Sequence, residues 1–262
     1  MSLGIADELR YLVVSQYYTM KAYLTYRVRF LASLLSTGVG FATQILAITV
    51  IYTVSSGVPG WSYLQLLFLS FLSSLTFTFL GYFNIYSLPG MLRRGRYDGF
   101  FSKPVSMEAL FFSPPSNVGM PIGIVFSAVL LAYVASLLGL SWMWLLMFLP
   151  LYLLGLIALL FLVTVVAVLA YLFVKSGNFI NNVLELLSTT SKYPLNIYGI
   201  FPQLLLSILL PVGIATYYPA ELLLGRIGIP VYAGILLFSA AVIIVSRYLI
   251  HKLMERYTGG GG

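Results

Sequence analysis

Six apolar stretches divide this chain, and nearly all of its charge lies between them. A spanning helix needs about 20 apolar residues to cross a hydrocarbon core about 30 Å thick. The stretches cover residues 30–54, 61–83, 119–138, a part of 142–174, about 199–217, and 230–250. The fourth exceeds what a straight crossing needs, so it must tilt, kink near Pro150 or protrude. Membrane barrels are excluded, because their strands alternate over segments of about ten residues and these runs are uniformly apolar. Only 8% of the residues are charged, against about 25% in a soluble domain, and mean hydropathy is +0.99. A soluble enzyme and a disordered chain are both excluded.

The basic residues set the expected orientation. Arg10, Lys21, Arg27 and Arg29 precede the first span; Arg93, Arg94, Arg96 and Lys103 lie between the second and third. Lys175 and Lys192 lie between the fourth and fifth, and Arg247, Lys252 and Arg256 follow at the end of the sixth. Thirteen of the 14 basic residues therefore share one side, and Arg226 alone is opposite. That side is expected to be cytoplasmic, and the net charge of +7 reads as positive-inside asymmetry, not a nucleic-acid patch. Trp61, Trp142 and Trp144 fall at the expected outer ends, as an interfacial aromatic belt would. Asp7, Glu8 and Arg10 interrupt the first stretch, so no secretory signal is expected, and the first apolar helix should direct insertion.

The expected fold is an all-α integral membrane protein of six transmembrane helices, with an N-terminal interfacial helix and both termini cytoplasmic. Residues 1–29 form the interfacial segment and 30–250 the transmembrane domain. Residues 84–118 and 175–198 are its cytoplasmic loops, and 251–262 the tail. Ile5, Leu9, Leu12, Val13, Tyr17 and Leu24 recur at roughly helical spacing beside polar positions, which fits an amphipathic helix; a plain lead-in is the alternative. In the second loop Ile180, Val183, Leu184 and Leu187 oppose Asn181, Asn182 and Glu185, so a second interfacial helix is expected there. Pro202 and Pro211 should kink the fifth span. The following Tyr217-to-Gly225 piece is too short to span but apolar enough to re-enter.

The chemistry open to the chain is narrow. Cysteine is absent, His251 is the single histidine, and none of the seven acids falls within a span. A pump needs ionisable groups at membrane depth, and a membrane hydrolase needs a catalytic cluster. No Gly-x-x-x-x-Gly-Lys-Ser/Thr phosphate loop occurs. Polar groups inside the spans are uncharged: Ser33, Thr37, Gly40 and Gln44 near one face of the first, and Gln65, Ser70, Ser73, Ser74 and Thr76 on the second. These spans are expected to face protein or a cavity, and the fourth, polar only at Thr164, to face lipid. Gln44, Gln65, Ser70, Ser73 and Ser74 are the candidate pathway-lining residues; ordinary helix packing is the competing reading for the serines. In the first loop Arg93, Arg94 and Arg96 stand near Phe100, Phe101, Phe111 and Phe112. Aromatics beside cations fit either a docking surface for a partner or an anchor on the bilayer.

Three stretches carry a resemblance: Ala22-Tyr-Leu-Thr-Tyr-Arg27, Gly95-Arg-Tyr-Asp-Gly-Phe-Phe-Ser-Lys-Pro104, and Lys192-Tyr-Pro-Leu-Asn-Ile-Tyr198 with Pro211 and Tyr218-Pro-Ala220. With six spans and a basic loop between the second and third, the chain resembles the permease subunits of type-2 ABC exporters, in the branch called the ABC-2 family transporter protein group. Lys103-Pro104 stands where that group carries an Arg-Pro pair. The resemblance implies the membrane half of an ATP-driven exporter in the cell membrane. A separate ABC ATP-binding subunit would carry ATP and magnesium, this chain itself binding no cofactor. A second permease copy or a paralogue would complete the pathway, and the loop from Arg93 to Phe112 would hold the coupling helix. A membrane scaffold or channel-like protein acting without nucleotide is the alternative.

Overall fold

The computed structural model describes residues 10, 13–15, 17, 18, 21, 25, 27–95, 98, 106–112, 120–140, 142–173 and 178–257. Most of the expected N-terminal helix lies outside these residues. Among the described residues the regular structure is helical, apart from one isolated bridge between Val58 and Trp61. Helix α1 covers Arg27–Val54, α2 Tyr63–Tyr82, α3 Leu88–Arg93, α4 Met107–Phe111 and α5 Met120–Leu137. Then come α6 at Trp142–Phe173, α7 at Phe179–Thr190, α8 at Ile200–Leu204, α9 at Tyr217–Leu223 and α10 at Ile229–Met254. Five of these, α1, α2, α5, α6 and α10, are long and apolar enough to cross a membrane. The protein is a multi-pass membrane protein.

The fifth predicted span is not one helix. It runs through α8 into a π-helical turn at Leu205–Leu209, breaks, and resumes at Val212, with a bend of 69° between the two halves. Pro211 stands at the break, where its missing N–H and its ring prevent helical continuation. The ends of the neighbouring elements show what the pieces achieve. Near the end of α6, Ala170 O accepts from Arg93 Nη2 at 2.8 Å, beside α3. Just beyond α9, Arg226 reaches Gly60 and Gln65 at the opposite end of the bundle. Residues 178–225 thus traverse the bundle once, in fragments. Where α1 stops, the Tyr52 hydroxyl donates to Trp61 O at 2.6 Å, and where α10 stops, Arg247 meets Glu108 of α4. So α1 begins, and α10 finishes, at the end that carries Arg93; we call this the basic end.

Helix α2 is the centre of the molecule. Ser62 caps it reciprocally with Gln65: the Ser62 N–H donates to Gln65 Oε1 at 3.0 Å and the Gln65 N–H to Ser62 Oγ at 3.4 Å. Leu66, Phe68, Leu69, Phe71, Leu72 and Leu80 are all buried, on every side of the helix. Its hydroxyls satisfy themselves on the preceding turn, Thr76 to Leu72 O and Thr78 to Ser74 O. One apolar cluster gathers around Trp61, Phe68 and Phe148, and a larger one around Phe77, Leu92, Phe111 and Leu159 nearer the basic end.

Two expectations reverse here. Helix α6, expected to face lipid, has 56% of its most apolar window buried, whereas α1 has 11%. Between helices in a bilayer there is no hydrophobic driving force, so leucine serves equally against lipid or protein, and small residues decide close approach. Helix α6 supplies them: Gly155, Ala158, Ala167 and Ala170 are buried. Secondly, Trp61 is no interfacial belt residue. It is 4% exposed, lies against Tyr217 and is covered by the Arg226 guanidinium at 4.8 Å.

Arg226, the solitary basic residue of its side, is a clamp. Its Nη1 donates to Glu221 Oε1 at 3.0 Å, and its Nη2 to Gly60 O and Gln65 Oε1, both at 2.8 Å. It thereby ties the α9–α10 connection to the start of α2. Charge-assisted bonds of this kind contribute about 2 kcal/mol each when well formed, and partial exposure reduces that. Arg226→Ala is expected to cost about 2 kcal/mol in total, read as a lower unfolding temperature in detergent. Arg226→Lys should recover little, because an ammonium lacks the planar fork. An unchanged unfolding temperature for Arg226→Ala overturns the clamp.

Candidate functional site

A cavity of about 390 Å³ opens between α1, α2, α5 and α7. Thr37, Gly40, Phe41 and Gln44 of α1 line it, with Ser74, Phe77 and Thr78 of α2, Met120 and Gly123 of α5, and Tyr86, Ser188 and Lys192. It extends from the basic end, at Tyr86 and Met120, toward the middle of the bundle. Two of the lining positions carry no side chain. A Cβ at Gly40 would meet nothing within 4 Å, and one at Gly123 would sit 2.9 Å from the Thr78 methyl.

The structure brings three of the candidate pathway residues together. Gln44 donates through Nε2 to Ser70 Oγ, and its Oε1 accepts from Ser74 Oγ at 3.1 Å. This amide holds the otherwise lightly packed α1 against α2, and Gln44 and Ser74 face the cavity. Ser70 and Ser73 are buried, and neither lines the cavity. Ser73 Oγ is 2.6 Å from Ser191 Oγ, joining α2 to the end of α7. Gln65 lies at the far end of α2, in the cap and the Arg226 clamp, away from Gln44.

The Ser73–Ser191 contact also relocates the second loop. Ser73 is at the midpoint of α2, about 15 Å from either end at 1.5 Å per residue. Helix α7 buries Ile180, Leu184 and Leu187 and exposes Asn181, Asn182 and Glu185, the amphipathic pattern expected of it. Its end nevertheless rises into the bundle instead of staying at the interface. Lys192, expected in a cytoplasmic loop, consequently sits at mid-depth beside Ser188 and the cavity. Nothing in the local sequence announces this, because the position is set by a tertiary hydroxyl pair and by burial of Tyr193 and Leu195 against the two apolar clusters.

The loop between α2 and α5 packs firmly against the bundle where it is described. Ile85, Leu88 and Leu92 are buried, and Arg93 is bound to α6. Arg94 is exposed. Phe111, 1% exposed, belongs to the larger apolar cluster. Phe112 packs edge-to-face on Phe83 and Phe161 at 5.8 and 5.2 Å. These two rings hold the loop to its own bundle and do not project from it. Arg96, Phe100 and Phe101 lie outside the described residues. Glu108 ties α4 to α10 through Arg247 at 2.8 Å and His251 at 3.0 Å. Burial pushes the Glu108 carboxyl up, but its backbone hydrogen bond, His251 and Arg247 pull it further down, and it ends below the ordinary carboxylate value. Tyr257 donates to Asp98 Oδ1 at 2.6 Å; burial and that carboxylate raise its hydroxyl well above the usual tyrosine value.

Spanning helices around a cavity with both polar and apolar walls define a polytopic α-helical membrane protein. The model of the family described as ABC-2 family transporter protein matches residues 39–261. The chain belongs to that family. No curated protein and no solved structure matches it.

Proposed function

We propose that this chain is the transmembrane subunit of an ATP-driven exporter of the cell membrane. It works as a pair with a second copy or a paralogue, and separate ATP-binding subunits carry ATP and magnesium. The family match over residues 39–261 carries this reading, since permeases of this family generally partner with ATP-binding subunits. The chain itself has no phosphate loop, so hydrolysis belongs to the partner. We place that partner on the basic end, taken as cytoplasmic from the charge asymmetry. A motor must push on something that does not yield, and α3 and α4 are held to the bundle by buried side chains, by Arg93 and by Glu108.

Purification from the host in mild detergent is expected to recover an ATPase of separate sequence with this chain. Arg94→Glu should reduce that recovery several-fold at low salt and less at high salt, because exposed charges act mainly through screened attraction. A chain that transports without any co-purifying ATPase overturns the reading in favour of a channel-like protein.

A further inference from the structure

We infer that the cavity beside Lys192 binds the anionic head group of an amphiphile drawn from the leaflet at the basic end, which makes a lipid-like anion the class of molecule this protein handles. A lysine at membrane depth is expensive unless an opposite charge or water compensates it, and such residues mark pathways more often than they serve packing. Lys192 is half-buried at the depth of Ser188 and Gln44. No carboxylate lines the cavity among the described residues, and the described ion pairs are Arg226–Glu221, Arg247–Glu108 and His251–Glu108. The ammonium therefore faces an open cavity with room beside it for a ligand's negative charge.

The walls suit an anion. Besides the ammonium, the cavity presents the hydroxyls of Thr37, Ser188 and Tyr86, all possible donors. The volume of about 390 Å³ falls within the range of small-molecule sites and accommodates a phosphoglycerol-sized head group. The flanks suit an apolar tail. Helices α1 and α5 border the cavity, and Leu35, Val39, Val125 and Val129 on them are exposed, on surfaces that meet lipid in a bilayer. A head group entering near Tyr86 and Met120 at the basic end reaches Lys192 by moving inward, while its chains stay along α1 and α5. A free anion would gain nothing from those apolar flanks.

The inference deepens the permease reading by naming its ligand class, and its test uses no nucleotide and no ATPase, so a negative result leaves the co-purification experiment untouched. The full chain, delipidated in neutral detergent, is offered phosphatidylglycerol or phosphatidylcholine, and retained lipid is counted by native mass spectrometry. Wild type is expected to hold one phosphatidylglycerol per protomer in preference to phosphatidylcholine. Lys192→Gln should weaken that retention about tenfold or more, the worth of a charge-assisted hydrogen bond, and Lys192→Arg should preserve it. Gly40→Leu fills the cavity without touching the charge and should also abolish retention; it serves if Lys192→Gln fails to fold. Equal retention by wild type, Lys192→Gln and Gly40→Leu overturns the inference. So does wild-type retention of both lipids alike, and so does displacement of the lipid by millimolar inorganic phosphate, which would mark a site for free anions.

Discussion

Gly155→Ala is expected to destabilise the folded protein by about 3 kcal/mol or more, beyond the usual cost of overpacking a core. A Cβ at Gly155 would lie 2.3 Å from Ile214 O and 2.8 Å from its carbonyl carbon. Both atoms are backbone, so no rotamer change relieves the contact. The obstructed segment is Val212–Ile214, the 3-10 turn just after the Pro211 break. Thr76 Oγ1 lies 3.3 Å from the carbonyl oxygen of Ala215, the next residue. Displacing this turn therefore shifts the fragmented passage against both α6 and α2. Gly40→Ala is the matched control: the same methyl, also within a spanning helix, meets nothing within 4 Å. There the substitution should be neutral or slightly stabilising, as glycine is a poor helix former. The two variants are compared by thermal unfolding in the same detergent. If Gly155→Ala unfolds at the temperature of Gly40→Ala, the bent passage does not rest on α6 as described.

Phe111→Ala is expected to cost about 3 to 5 kcal/mol, the range for emptying a buried aromatic site. Phe111 is 1% exposed, in a cluster with Leu92, Leu159, Val163 and Met254. Adding Phe112→Ala removes the ring wedged between Phe83 and Phe161 and should bring the protein close to global unfolding, since few domains hold more than about 5–15 kcal/mol. A docking role for these rings would give a different result: loss of the ATPase with an unchanged unfolding temperature. Unfolding temperature and ATPase recovery are therefore measured on the same preparation. A double variant that stays fully stable and releases the partner returns these residues to the partner surface.

The boundaries of the spanning elements were legible in the sequence. The stretch 61–83 becomes a helix at Tyr63–Tyr82, 119–138 becomes Met120–Leu137, and 230–250 becomes Ile229–Met254. Apolar length against a fixed hydrocarbon thickness is a one-dimensional quantity, and Ser62, Gly139 and Pro230 punctuate it locally. The kink at Pro211 was legible for the same reason, because a missing N–H acts on its own turn.

What lay beyond the sequence is which neighbour each residue meets. Uniform apolarity gave α6 to lipid, and the fold instead buries 56% of its most apolar window; α1, expected to face protein or a cavity, turns its polar face to the cavity and leaves the rest of its surface largely exposed. Gln44 and Gln65 look alike as intramembrane amides, yet one braces α1 at a cavity and the other closes a helix cap under Arg226. Phe111 and Phe112 read as exposed because the residues around them are polar. They are packed because the chain folds back on α6. Lys192 read as a loop cation, and the Ser73–Ser191 contact carries it to the middle of the bundle. Transfer from water into a membrane depends on a segment's own composition, so sequence determined where the chain crosses. Inside the membrane, packing and hydrogen bonds between distant residues replace that driving force, so only the tertiary structure decided which groups meet to form the cavity.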